Sequence, residues 1–381
     1  MHLKNTPRWA VACLAAVLSI LAGGASAILG TCGPFADVAA DTFCPFVLEI
    51  FYLGITTGTS ATTYDPTATV SRLQMAAFLS RTVDAALKRG SRRAALDQFW
   101  VSPALGSVTV GSSPIGVKSD GTDVWVADGI DGTVRRVRGS DMKLLDTWTG
   151  AVAARGVLCG AGKVVVTGAT IPGQLYYIDP LQPAGAVTVV ATNLGNTPRG
   201  IAYDGTRIWT ANGSSVSIVN PGDVFPWTVT TVTTGFAGMF GPTFDGANIW
   251  VTNNPAGKLM KLDSAGAILQ TVTVGSSPGM PLFDGSNIWV PNTLDNTISV
   301  VRPSSGAVLA TLTGNGLSQP FAAAFDGQRV LVTSFDTNNV SLWKAADLTP
   351  IGFFDVGSPS NRTASDGLNF WINLQGRLAR F

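Results

Sequence analysis

The sequence predicts a mainly β protein, a seven-bladed β-propeller preceded by a small α-helical hairpin. Three observations carry that prediction: a short unit recurs seven times, the copies are spaced like blades, and the last copy is one strand short. The best-kept copy is Asp284-Gly285-Ser286-Asn287-Ile288-Trp289-Val290-Pro291-Asn292. Its relatives are Asp120-Gly121…Trp125-Val126, Asp204-Gly205…Trp209-Thr210, Asp245-Gly246…Trp250-Val251 and Asp366-Gly367…Trp371-Ile372. Asp326-Gly327…Leu331-Val332 and Gly160-Ala161…Val165-Val166 are degenerate copies. First positions fall at 120, 160, 204, 245, 284, 326 and 366, so 39 to 44 residues separate successive copies. A period near 40 with several short strands per unit implies one propeller blade per repeat.

Each unit reads as four strands. In the fifth, residues 278–283 run along the channel, Asp284-Gly285 turns, 287–291 return, 297–301 come third and 308–313 fourth. The seventh unit stops after its third strand. Its fourth is expected from residues 107–110, which match 271–274 and, like them, run into Gly-Ser-Ser-Pro. Closure of one strand plus three removes an exposed sheet edge.

The Asp-Gly pairs suit tight turns, because Gly takes φ > 0 freely and Asp bonds nearby backbone amides. The five aligned Trp residues alternate with Val or Ile, and blades pack on both faces, so these positions are read as core. Cys159 stands where other units place Tyr203, Phe244, Phe283 and Phe325, so it is read as a small buried hydrophobe and not as a nucleophile.

Residues 1–27 read as a secretory leader: Lys4 and Arg8, an apolar run from Trp9 to Ala22, and Ala25-Ser26-Ala27 as the cleavage site. The rival is an uncleaved anchor extended through Ile28. No other segment has the length and apolarity to span a bilayer. Export to the cell surface, envelope or periplasm follows, and in that oxidising setting Cys32 and Cys44 are expected to pair.

Residues 28–90 are expected to form the helical module, and 91–104 a linker. Asp41, Thr42 and Pro45 start one helix, which Gly54 stops. Ser71-Arg72-Leu73-Gln74 fits a capping box, with Val70 and Met75 placed for a hydrophobic staple. The stretches Phe35-Ala36-Asp37-Val38, Gly54-Ile55-Thr56-Thr57-Gly58, Tyr64-Asp65-Pro66 and Val70–Ala76 resemble one S-layer homology module. That resemblance implies non-covalent attachment to envelope polysaccharide, through Arg72 and the Gly54–Gly58 stretch with Thr56 and Thr57. The family's acid is replaced by Gln74, and the family usually carries three modules. The plainer reading is that Ser71 and Gln74 only cap a helix and Arg72 is a solvated charge.

Charged residues make up 13% of the chain and the net charge is +1, which leaves no electrostatic footprint for nucleic acid. The sole histidine is His2, in the leader, so a Ser-His-Asp or Cys-His mechanism and a His-ligated metal are excluded. The recurring Pro-x-Gly…Asp-Gly…Trp-Val-x-Asn pattern over 105–381 resembles YVTN-type and virginiamycin B lyase-like propellers. Such lyases use a histidine base and a bound metal; with no histidine to receive that role, the resemblance carries the fold and not the activity. Neither a cofactor, a metal set nor a catalytic set is assigned. The enzymatic alternative is an Asp- or metal-dependent lyase or hydrolase built on Asp128, Asp131, Asp295 and Asp336.

A ligand site is expected where the positions five before and eight after each turn share one end of the channel. The candidates there are Arg155, Arg199, Phe240, Phe321 and Asn361, with Asp128, Asn212, Asn253 and Asn292. Guanidinium groups, aromatic faces and amides in a concave setting suit a glycan, peptide or protein ligand. The plainer reading is that they satisfy their own loops. An exported, envelope-associated binding or scaffold protein is the function this sequence favours.

Overall fold

A computed structural model describes residues 34–38, 44–52, 55–72, 74–79, 82, 106–160 and 162–381. The expected leader and linker lie outside the described residues. The chain divides into two units, Met1–Arg89 and Gly90–Phe381.

In the first unit, helix α1 (Cys44–Tyr52) follows the extended Phe35 segment. Phe35, Val38 and Val47 form a small buried centre. The Phe35 ring stands edge-on to Phe51 at 5.1 Å and lies against Tyr64 at 5.7 Å. Asp37 joins two segments distant in sequence: its carboxylate accepts the backbone N–H of Tyr64 and of Asp65, which holds its pKa below the usual range. The capping box forms reciprocally. Ser71 N–H donates to Gln74 Oε1 at 2.8 Å, Gln74 N–H donates to Ser71 Oγ at 3.2 Å, and residues 74–79 are helical. Val70 and Met75, expected to close a staple, stay 46% and 48% exposed. Cys44 is disulfide-bonded; Cys32 lies outside the described residues.

The second unit is seven four-stranded antiparallel sheets. Blade 1 runs outward through Pro114–Ser119, Asp123–Asp128, Thr133–Arg138 and Leu144–Thr149, and five further blades repeat that order. Blade 7 is composite. Thr363–Ser365, Phe370–Leu374 and Arg377–Arg380 supply its inner strands, and Gly106–Thr109 is its outermost, with Gly106 opposite Arg380 and Val108 opposite Leu378. Each inner strand lies against the inner strand of the next blade, and the last against the first, so the ring closes around an axial channel.

Two devices hold the blades. Second strands are buried throughout, as in Asp123–Asp128 and Ile288–Asn292, because neighbouring blades cover both faces. The Asp of each Asp-Gly turn is the other. Asp284 Oδ1 accepts the N–H of Ser286 and Asn287 at 2.8 and 2.7 Å, while Oδ2 accepts the Trp289 indole N–H at 2.6 Å. The same indole bond recurs at Trp125, Trp209, Trp250 and Trp371, at 2.7 to 2.8 Å. In blade 6, where Leu331 replaces Trp, the buried Arg329 Nε donates to Asp326 at 2.7 Å instead. In blade 2 both partners are gone, with Gly160 for Asp and Val165 for Trp. The spacing of five thus marks a bonded pair, which the reading of Trp as packing alone did not contain.

Candidate functional site at the propeller axis

The inner strands are not regular. Blades 1, 2, 4 and 6 each carry a register shift near the start of the inner strand, between Pro114 and Gly116, Ala154 and Val157, Met239 and Pro242, and Pro320 and Ala323. An extra residue in one strand breaks the alternation of side chains and re-aims them. In blades 2, 4 and 6 a buried second-strand threonine ties the bulge: Thr167, Thr252 and Thr333 Oγ1 accept the N–H of Gly156, Gly241 and Ala322.

The residues expected at the mouth fall into two groups. Asp128, Asn212, Asn253 and Asn292 are buried and committed to their own loops. Asp128 accepts the N–H of Ser113, Ile130 and Asp131 at 2.7 to 3.0 Å. Asn212 donates to Ser215 and Ser217, and Asn292 to Thr297 and Ser299, while Asn253 Oδ1 accepts the Ala256 N–H. These four side chains are tied into their own loops. Arg155, Arg199, Phe240, Phe321 and Asn361 are only partly covered, and three of them pack on one another. The Arg199 guanidinium lies 5.1 Å above the Phe240 ring. Phe240 of blade 4 meets Phe321 of blade 6 edge-on at 5.5 Å. Phe321 continues to Phe335 at 5.9 Å.

The residue that organises this end is Arg362, one position beyond the column considered above. Four positions before each turn the chain reads Gly116, Gly156, Gly200, Gly241, Met280, Ala322 and Arg362. Glycine fits there because the inner strands nearly touch; a Cβ on Gly116 would run into the Arg155 carbonyl oxygen. Blade 7 places an arginine in that column, and its side chain crosses the axis. Its two Nη atoms donate to the carbonyl oxygens of Arg155, at 3.3 Å, and Arg199, at 2.7 Å. Burial, followed by the charges of Arg155 and Arg199, pushes the Arg362 pKa down to about 9. Arg362 Nε, Asn361 Oδ1 and both polar atoms of the Asn373 amide are buried without a hydrogen-bond partner.

On the turn side of Arg362 the channel widens into a cavity of about 480 Å³. Inner strands of all seven blades line it, with Val157, Ile201, Pro242 and Leu282 among the walls, and Lys118, Tyr203 and Phe283 nearer the turns. None of the nine residues expected at the mouth lines it.

Cys159 also borders this cavity. Burial, reinforced by the Asp120 charge and opposed by Lys118, pushes its thiol up to about 12. Thiolate is the reactive form, so DTNB at pH 8 is expected to label Cys159 at least about 100-fold more slowly than a free cysteine. Denaturant should restore the ordinary rate, with the site assigned by peptide mapping against Cys159→Ser. Fast labelling of the folded protein would refute the inert reading.

Three of the four carboxylates of the enzymatic alternative, Asp128, Asp131 and Asp295, are occupied. Asp131 is held low mainly by the Ser112 hydroxyl, with further help from the Ser112 N–H and Arg135. Asp295 accepts the Ser276 N–H at 2.6 Å. Among the described residues no group of three or more His, Cys, Asp or Glu is placed to hold a metal. The metal that the lyase resemblance implies therefore has no fitting ligand set in the described channel.

Of the expected polysaccharide contacts, Arg72 and Thr57 are exposed. Thr56 is buried and its hydroxyl accepts the Gly58 N–H at 3.2 Å, so it shapes the loop. Gly54 lies outside the described residues.

No protein-family model matches the chain, and no curated protein matches it. Many solved structures share its fold. The WD40 propeller domain of Doa1 superposes with a TM-score of 0.62 at 11% identity, over 72% of this chain and 95% of that one. A catalytically inactive virginiamycin B lyase from Staphylococcus aureus with quinupristin gives 0.60 at 15%, over 72% and 98%. Hydrazine synthase of Kuenenia stuttgartiensis gives 0.60 at 14%, over 72% and 97%. At such identities the likeness establishes the β-propeller fold, seven-bladed here, and nothing of the chemistry.

Proposed function

We propose that this chain is an exported, cell-envelope-associated propeller that works by binding or scaffolding, with its helical module oriented by envelope polysaccharide. One observation carries the binding part. Asp128, Asp131 and Asp295 are tied into turns and loops, whereas Arg362, Lys118 and the aromatic Tyr203, Phe244 and Phe283 line an axial cavity. The envelope part is supported by the leader-like start and by the S-layer homology motifs, whose ends the Asp37 bonds join. The lyases that share the fold supply no counter-argument, because residues 106–381 hold no histidine.

Purified bacterial envelope tests the attachment. The mature protein is expected to sediment with it, and a variant lacking residues 28–104 to remain in the supernatant. Equal retention of both removes the anchoring role.

A further inference from the structure

We propose that the axial cavity is a receptor for a small organic carboxylate with an apolar body, seated on the Arg362 guanidinium. Four independent features converge on that chemistry. The first is position: blade 7 puts an arginine in a column otherwise filled by Gly, Ala and Met, at the point where inner strands approach most closely.

The second is unbalanced charge. Arg362 reaches the backbone of both Arg155 and Arg199, and the like charges of those residues both bear on it. Among the described residues, no carboxylate lies within ion-pair range of any of the three. A half-buried cation flanked by like charges and without a counter-ion is costly, and an anion entering the site would offset that cost.

The third is unused donor capacity. A guanidinium has five N–H donors, and the two carbonyl bonds leave others free, among them the buried Nε–H. An Arg edge of this kind matches a carboxylate in a two-point, charge-assisted contact. The unpaired Asn361 Oδ1 and the unpaired Asn373 amide stand beside it in the chain and in the sheet.

The fourth is the shape above the guanidinium. About 480 Å³ is the volume of a small-molecule site. Val, Ile, Leu, Pro and aromatic side chains stand among its walls between Arg362 and the turns, with Lys118 nearer the turns as a second cation. A bare oxyanion would leave those apolar side chains uncovered. A carboxylate on an aromatic or aliphatic body satisfies both ends.

This proposal rests on the propeller being a binding module and not on envelope attachment, so the two fail separately. Calorimetric titration with benzoate, benzyl alcohol, inorganic sulfate and glucuronate tests it on the purified protein. Benzoate is expected to bind saturably, and benzyl alcohol, sulfate and glucuronate at least about 10-fold more weakly, as a charge-assisted contact combined with apolar burial requires. Arg362→Gly, which restores the residue found at this position in four other blades, is expected to lower benzoate affinity at least about 10-fold. Near-ultraviolet circular dichroism verifies the fold of that variant, and Arg362→Gln serves if Arg362→Gly does not fold. Unchanged benzoate affinity in the variant would overturn the proposal. So would no saturable benzoate binding, or equal affinity for the alcohol, sulfate or glucuronate.

Discussion

Asp284→Ala is expected to destabilise the propeller by about 3–4 kcal/mol, because the substitution strands a buried indole N–H and frees two turn amides at once. Asp284 and Trp289 are both buried, so water cannot replace the carboxylate. An unpaired buried donor costs about 1–3 kcal/mol, and the Ser286 and Asn287 bonds add to it. Calorimetry should place the midpoint of unfolding roughly 10 °C lower. Trp289→Phe removes the indole donor while keeping an aromatic ring. The double variant should therefore lose less than the sum of the two single losses. Strict additivity would show that the carboxylate and the indole do not stabilise each other.

Gly279→Ala is expected to be at least as damaging, for a different reason. Its backbone φ is ordinary, so conformational freedom is not what glycine supplies there. The new Cβ would run into the Phe321 carbonyl oxygen and lie 3.1 and 3.3 Å from two further backbone atoms of Phe321. That backbone cannot withdraw freely, because Met280 N–H donates to the same carbonyl at 2.8 Å. Blades 5 and 6 would have to separate, with a loss of about 3 kcal/mol or more. Gly285→Ala is the contrast: φ is +95° and nothing lies within 4 Å of the added carbon, so only the left-handed strain of about 1–2 kcal/mol applies. If thermal unfolding finds equal losses at the two glycines, the close approach of the inner strands is not what holds position 279.

Why the blades were legible and the axis was not follows from the same residues. Seven turns, seven returning strands and the composite seventh sheet are each dictated by the period, which no local irregularity disturbs. The capping box at Ser71 and Gln74 was legible because its two bonds are local. Arg362 was missed by one position. Strict alternation from the turn selects a single column, but the bulges near Gly116, Gly156, Gly241 and Ala322 insert a residue just there and change which side chains reach the axis. The sequence did hold a signal, a lone arginine in a column of small residues, visible only when that column is written out. The loop bonds of Asn212 and Asn292 were not legible for a related reason. An amide at the end of a strand reads the same whether it faces a ligand or ties down the loop that follows.

The pairing of Gly106 with Arg380 has a consequence for synthesis. The earliest strand of the ring must wait, partnerless, while every other blade is made. No shortened chain lacking Arg377–Arg380 can finish its last sheet, however well the first six have formed. A nascent propeller would then stay an open arc with apolar flanks at both ends, open to chaperones and proteases. Sealing of the ring therefore reports that Arg377–Arg380 has been made.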